Sequence, residues 1–115
     1  MIIGIGTDII EISRIKKVNK DHRLAKRILA DEELDKYMKI KNDTRKTEFL
    51  AGRFAVKEAY SKALGSGIGK TVAFKDIKCL NDSHGKPSIA DDRRAHVSIS
   101  HAEEYAVATV VLETQ

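Results

Sequence analysis

Cysteine occurs once in this chain, at Cys79, proline once, at Pro87, and tryptophan not at all. A lone cysteine excludes an internal disulfide, and nothing around it resembles a Cys/His metal cluster. A reducing, cytoplasmic setting is the default that follows. No apolar run reaches membrane-spanning length. The start MIIGI lacks a basic leader and is interrupted by Asp8 and Glu11, so it reads as a buried strand and not as a signal or anchor. Neither an internal repeat nor a biased tract or linker divides the 115 residues, which therefore predict one domain over 1–115.

What is present is ordinary for a soluble globular protein, 42% hydrophobic and 33% charged. A chain of this size buries roughly two-thirds of the surface its unfolded form exposes. That supports one core but leaves little room for a deep cleft, which favours completion of a large-ligand site by a second subunit. The net charge of +4 is unevenly spread. Arg14, Lys16, Lys17, Lys20, Arg23, Lys26 and Arg27 face only Asp21, a local excess of +6 that leaves the remainder at −2. Such a stretch is either a solvated helical face or the footprint of an acidic partner.

Residues 2–10 alternate, with Ile3, Ile5, Thr7 and Ile9 on one face and Gly4, Gly6 and Asp8 on the other, the pattern of a half-buried strand. The glycine face admits close approach by another element. Ser13 is a candidate helix cap. Ile12, Ile15, Val18, Leu24, Ile28 and Leu29 give a broken helical stripe that points inward through the basic segment. Asp31, Glu32 and Glu33 stand where a helix dipole prefers acids, heading a helix with Leu34, Tyr37 and Met38 as its stripe and an end near Asn42.

With no proline between Thr44 and Leu64, the recurrence of Phe49, Leu50, Phe54, Ala59, Tyr60 and Ala63 predicts the longest helix, terminated by Gly65, Gly67 and Gly69. Phe74 to Leu80 reads as a strand. The turn formers of NDSHGKP from Asn81 to Pro87 predict a hairpin returning through Ser88 and Ile89. His96 to Ser100 alternates with Val97 and Ile99 inward, and Tyr105 to Leu112 is a strongly apolar final strand. A strand, then helices, then strands predict an α+β fold with a mainly antiparallel sheet.

Four features carry possible chemistry. Glu58 precedes Lys62 by four residues, so both lie on one helix face. The pair is either an ordinary helix-stabilising contact worth about 0.2–0.5 kcal/mol or a metal-holding carboxylate beside a phosphate-holding cation. Arg53 and Lys57 add positive charge upstream, and the glycine loop after Leu64 can bring backbone N–H groups to a phosphate. That loop, GSGIGK, matches neither the P-loop nor the dinucleotide fingerprint.

Asp8 is a charge in an otherwise apolar strand, on the face opened by Gly4 and Gly6. A lone buried carboxylate is costly unless paired or bound to metal. It caps the following helix, pairs with a lysine, or joins Glu58 in the oxygen-rich kind of site that Mg²⁺ favours. Ser98, Ser100 and His101 in HVSISH make no nucleophile elbow and have no identifiable third triad member. His101 at a strand end is better suited to donate to a phosphate or to the backbone.

GIGTDI at Gly4 to Ile9, FLAGRFAVKEAYSKALGSGIG at Phe49 to Gly69, GKP at Gly85 to Pro87 and VSISH at Val97 to His101, in this order, resemble the holo-acyl-carrier-protein synthases, the small bacterial type of 4′-phosphopantetheinyl transferase. The resemblance implies that family's fold, with a long central helix and shorter N-terminal helices. It implies transfer of 4′-phosphopantetheine from coenzyme A to a serine of apo-acyl carrier protein, releasing 3′,5′-ADP, in fatty acid biosynthesis. It implies a homotrimer with active sites between subunits.

By the same resemblance Asp8, Glu58 and Lys62 are catalytic: Asp8 and Glu58 hold Mg²⁺, and Lys62 contacts the pyrophosphate. Arg53, Ser61, Gly65, Lys86, Pro87 and His101 surround the coenzyme A nucleotide, with Arg53 and His101 toward its 3′-phosphate. The basic segment, with Arg14, Lys17, Arg23 and Arg27, docks the acidic recognition helix of the carrier. Two rival readings remain from other classes: a nucleic-acid-binding protein using the basic patch on phosphates, and a non-catalytic adaptor for an acidic protein. The first lacks an aromatic residue within the patch to stack bases, and the second needs neither Asp8 nor Glu58.

Overall fold

The computed structural model describes residues 1–65, 68 and 73–115. Strand β1 (Ile2–Glu11) runs straight into α1 (Ile12–Val18); a 3₁₀ turn (Lys20–His22) leads to α2 (Arg23–Ile28), α3 (Asp31–Lys39) and α4 (Asp43–Leu64). A second 3₁₀ turn (Phe74–Asp76) precedes β2 (Cys79–Asn81), β3 (Pro87–Ile89), β4 (Ala95–His101) and β5 (Tyr105–Glu113). The fold is α+β, as the element order predicts. Both described sheets are antiparallel, one in the order β1-β5-β4 and the other the β2-β3 hairpin.

Helix α4 lies across the three-stranded sheet and is the body around which the rest is arranged. Asn42 caps it, its side-chain oxygen accepting from the Arg45 N–H at 3.0 Å. Gly65 ends it at φ 81°, a left-handed conformation suited to glycine, and its N–H reaches the Ser61 and Lys62 carbonyls. The expectation that Gly67 and Gly69 take part falls outside the described residues.

Small residues set how closely helix and sheet approach. Ala55, Ala59 and Ala63 recur every four residues on α4 and are buried. Gly4 and Gly6 of β1 pack onto that row so tightly that a Cβ at Gly6 would stand 1.9 Å from the Ala59 carbonyl oxygen, and one at Gly4 2.2 Å from that of Ala63. Ala108, Val110 and Leu112 of β5, with Ile77, Cys79 and Ile89, complete this core. A second core joins α1, α2 and α3 to the first half of α4 through Ile15, Leu24, Ile28, Tyr37 and Leu50.

The structure corrects several expectations. β1 is half-buried and approached on its glycine face, as expected, but Ile3, Ile5 and Ile9 on the other face are 50%, 68% and 62% exposed, which corrects the reading of MIIGI as a buried strand. Alternation reveals that a strand has two faces, and here glycine's missing side chain lets the helix approach the face that hydropathy would leave outside. Ser13 is not a cap: α1 begins at Ile12, with Glu11 at the capping position making no side-chain bond. Val18 and Met38 are exposed at 55% and 44%. Residues 74–76 form a 3₁₀ turn in place of the start of a strand, because the Asp76 carboxylate accepts the Ala73 N–H at 3.2 Å and curls the chain.

Candidate active site

Where β1 crosses α4, the register that puts Gly6 against Ala59 also places Asp8 beside the last turns of the helix. Lys62 Nζ stands 3.2 Å from Asp8 Oδ1 and donates to the Thr7 carbonyl oxygen at 3.0 Å. Asp8 is largely covered, its side chain 16% exposed, whereas that of Lys62 is 53% exposed and open to a ligand. Glu58, one turn earlier, is half-buried. Burial, followed by the negative charge of Asp8, raises its carboxyl above the usual range, and Lys62 offsets this in part. Asp8, Glu58 and Lys62 are thus brought together as a two-carboxylate, one-cation cluster.

The repulsion between the carboxylates that burial sharpens is the condition a bound cation relieves. Among the described residues no group of three or more Asp, Glu, His or Cys side chains gathers in one place. Two carboxylates without a third protein ligand do not suit a closed Zn²⁺ site. They fit Mg²⁺, which takes one or two carboxylates and keeps the rest of its shell for water and phosphate oxygens.

Lys57 does not belong to this cluster, contrary to its expected role as extra positive charge beside Glu58. It is fully buried and donates to Glu33 Oε1 at 2.6 Å, to the Ile28 carbonyl at 2.7 Å and to the Phe74 carbonyl at 2.9 Å. Glu33 also accepts the N–H groups of Ala30 at 2.9 Å and Cys79 at 3.1 Å. Burial pulls the Lys57 ammonium pKa down while Glu33 holds it up. Sequence reasoning missed Glu33. The signal was its position four residues before Tyr37, on the buried stripe of α3 and not merely at its acidic head.

Arg53 and His101 meet elsewhere, at a cleft of about 460 Å³ between α4, the β2-β3 hairpin and the end of β4, also lined by Arg45, Glu48, Asn81 and Gly85. Arg53 is 5% exposed, stacks its guanidinium 4.5 Å from the Phe49 ring centroid and donates through Nη2 to Asn81 Oδ1. His101 Nδ1 lies 3.6 Å from a Glu48 carboxylate oxygen. Lys86 and Pro87 are on the same hairpin, Pro87 paired with Asn81. Asp8, Glu58 and Lys62 do not line this cleft. Ser61 is buried and its hydroxyl donates to the Glu58 carbonyl at 2.8 Å, inside its own helix. Gly65 is exposed at the helix end.

Arg14, Arg23 and Arg27 frame a third depression, about 680 Å³, whose floor is Ile10, Ile15, Val18, Leu24 and Phe54. Lys17 is exposed on α1 but is not part of its lining. Phe54 and the apolar floor were not predicted as functional.

The model of the 4′-phosphopantetheinyl transferase superfamily matches residues 4–110. A holo-[acyl-carrier-protein] synthase of Staphylococcus saprophyticus is 58% identical over 115 residues, 98% of this chain and 99% of the relative. One from Staphylococcus aureus is 56% identical over 115 residues, 98% and 97% of the two chains. The crystal structure of a holo-(acyl-carrier-protein) synthase from Bacillus anthracis in complex with CoA (3′,5′-ADP) is 51% identical and superposes with a TM-score of 0.91, covering 100% of this chain and 99% of that one. A Helicobacter pylori holo-[acyl-carrier-protein] synthase in complex with coenzyme A, 34% identical, gives 0.79 over 95% of this chain and 99% of that one. Matched from end to end in sequence and in fold, this chain belongs to the holo-acyl-carrier-protein synthase family of the 4′-phosphopantetheinyl transferase superfamily.

Proposed function

We infer that this chain transfers 4′-phosphopantetheine from coenzyme A to a serine of apo-acyl carrier protein, giving holo-acyl carrier protein and 3′,5′-ADP, and so serves fatty acid biosynthesis. The observation that carries this reading is the Asp8, Glu58 and Lys62 cluster in a chain that matches holo-acyl-carrier-protein synthases along its whole length. The whole of residues 1–115 acts as one transferase domain.

The serine oxygen of the carrier attacks the phosphorus on the pantetheine side of the pyrophosphate as its proton passes to a water molecule at the site. The bond to the bridging oxygen breaks, and 3′,5′-ADP leaves with that electron pair. The nucleophile belongs to the partner, so this chain needs no activated serine or cysteine of its own. Lys62, held on the Thr7 carbonyl with its ammonium open to solvent, neutralises negative charge growing on the leaving phosphate. Asp8 and Glu58 would hold Mg²⁺, which supplies charge neutralisation across the pyrophosphate when bound. Arg53 and His101 grip the nucleotide's 3′-phosphate, with Lys86 and Pro87 along its path, and Ser61 and Gly65 shape the helix end beside the pyrophosphate.

Among the described residues, Asp8, Glu58 and Lys62 are not part of the cleft that holds Arg53 and His101. A homotrimer with active sites between subunits brings such halves together, and β1 offers it an uncovered apolar face at Ile3, Ile5 and Ile9. The Arg14, Lys17, Arg23 and Arg27 surface docks the carrier. Its apolar floor suits a protein face more than the repeated phosphates of a nucleic acid, so the nucleic-acid reading is not favoured. Among the described residues no helix is long and apolar enough to cross a membrane. The lone, buried Cys79 accords with a reducing cytoplasm.

Incubation with coenzyme A, Mg²⁺ and apo-acyl carrier protein is expected to add one phosphopantetheine mass to the carrier, at a serine, with equimolar 3′,5′-ADP. An unmodified carrier overturns the reading, and binding without modification favours the adaptor. Sedimentation is expected to give three times the chain mass.

A further inference from the structure

Two cations converge on one neutral acceptor at the mouth of the Arg53 cleft. Lys36 Nζ donates to Asn81 Oδ1 at 2.9 Å, and Arg53 Nη2 donates to the same oxygen. Both charges also face one ring, with Lys36 Nζ 5.8 Å and Arg53 Cζ 4.5 Å from the Phe49 centroid. Like charges gathered on an uncharged amide repel each other unless an anion joins them.

The nearest buried carboxylate does not cancel them. Glu33 is already the close partner of Lys57 at 2.6 Å, and it lies 3.8 Å from Arg53 Nε, which makes no hydrogen bond although it is buried. Two buried cations thus share one buried carboxylate, leaving uncompensated positive charge facing the cleft. Lys36 adds a second positive charge from the solvent side. Glu48, also at the cleft, stands 3.6 Å from His101, and Arg45 adds a further cation to the lining.

From this we propose that Lys36, tethered by Asn81 beside Arg53, is a specificity-determining residue that reads the terminal phosphate monoester of the nucleotide. The inference rests on the transfer reading above, which puts Arg53 near the 3′-phosphate of coenzyme A. A phosphate monoester carries close to two negative charges at neutral pH and three acceptor oxygens. It matches a guanidinium and an ammonium that have been brought together but not neutralised.

Calorimetry of the intact protein with 3′,5′-ADP and with 5′-AMP isolates this phosphate, since the ligands otherwise share their groups. Wild type is expected to favour 3′,5′-ADP. Lys36→Gln weakens 3′,5′-ADP about tenfold, the loss of one charge-assisted contact, and leaves 5′-AMP unchanged; Lys36→Arg restores most of the preference. Lys36 is exposed, so its replacement does not threaten folding. An equal loss for both ligands, or no loss for either, overturns the assignment. Carrier modification by wild type reads the underlying activity separately. If wild type modifies the carrier while Lys36→Gln discriminates as before, only the inference fails; if wild type transfers nothing, the reading beneath it fails as well.

Discussion

Helix α4 holds two lysine–carboxylate pairs only five residues apart, and they differ in almost everything but their chemistry. Lys57 and Glu33 are fully sealed, 2.6 Å apart, with further hydrogen bonds to Ile28, Phe74, Ala30 and Cys79. Lys62 and Asp8 are 3.2 Å apart with the lysine half open to water. In the sealed pair most polar atoms have partners, so the pair joins α2, α3, α4 and β2 without capacity for a ligand. In the open pair Lys62 has one further bond, to Thr7, and Glu58 stands nearby with its carboxyl pushed upward by burial and by Asp8. Incomplete satisfaction of charge, not charge itself, separates a binding site from a structural joint.

The comparison breaks most severely at the open cluster. Asp8→Ala or Glu58→Ala is expected to reduce transfer at least ten-thousandfold, roughly 5 kcal/mol of barrier, while thermal stability changes little and carrier binding persists. Turnover by Asp8→Ala at the wild-type rate would remove both the metal assignment and the contrast. At the sealed pair the prediction reverses. Lys57→Met removes the close partner of Glu33, leaving the buried carboxylate with only Arg53 Nε at 3.8 Å, and is expected to cost about 3–5 kcal/mol of stability in denaturant unfolding. The double replacement Glu33→Gln with Lys57→Met recovers a large part of that loss, because the penalty lies in the unpaired charge.

Between these extremes stands the contact that aligns the two elements. Gly6→Ala forces a methyl group against the Ala59 carbonyl, and because backbone meets backbone the strand must shift. The expected cost is about 2 kcal/mol, together with a loss of transfer out of proportion to it, since Asp8 is carried on the displaced strand. A stability loss with the full rate retained would show that the site tolerates movement of β1.

The sequence makes these two pairs unequally legible. Glu58 and Lys62 declare themselves by a spacing of four, and Asp8 by standing as a charge in an apolar alternation. Glu33 is hidden because its partners lie 24 and 46 residues away, at Lys57 and Cys79, and no local pattern reports such convergence. The long helix and the last two strands follow from periodicity that packing then reinforces. The inner face of β1 follows only in part: Gly4 and Gly6 mark where another element can approach, but it is the helix row Ala59 and Ala63 that shows which one does. The 3₁₀ turn at 74–76 depends on one carboxylate-to-backbone bond from Asp76, which an apolar-run reading of Phe74 to Leu80 overlooks.

A third pair lies between sealed and open. Arg94 donates to both oxygens of Asp92 at 2.9 Å, and the Tyr60 hydroxyl also binds this carboxylate. The Arg94 hydrogen bonds lead in lowering the Asp92 pKa from 3.8 to about 2. Since the folded value is depressed, its contribution is fully present above about pH 4 and is lost as pH falls toward 2. The expected contribution is about 1–2 kcal/mol, read as a decline in melting temperature between those pH values that Asp92→Asn abolishes. An identical acid profile in the variant would place the charge among the open, weakly held ones.

The basic surface carries the contrast to its limit. Among the described residues Arg14, Arg23 and Arg27 form no ion pair with any carboxylate, yet they ring an apolar floor that includes Phe54. Charges left without an internal partner at the rim of an apolar depression steer an oppositely charged protein and fix its orientation more than they bind it. Arg14→Glu is therefore expected to raise the KM for the carrier a few-fold, roughly 1 kcal/mol, with kcat nearly unchanged and with an effect that shrinks as salt is added. A fall in kcat that salt leaves untouched would mean that Arg14 acts on the reacting groups themselves, and the division between open charges that do chemistry and open charges that recruit would no longer hold.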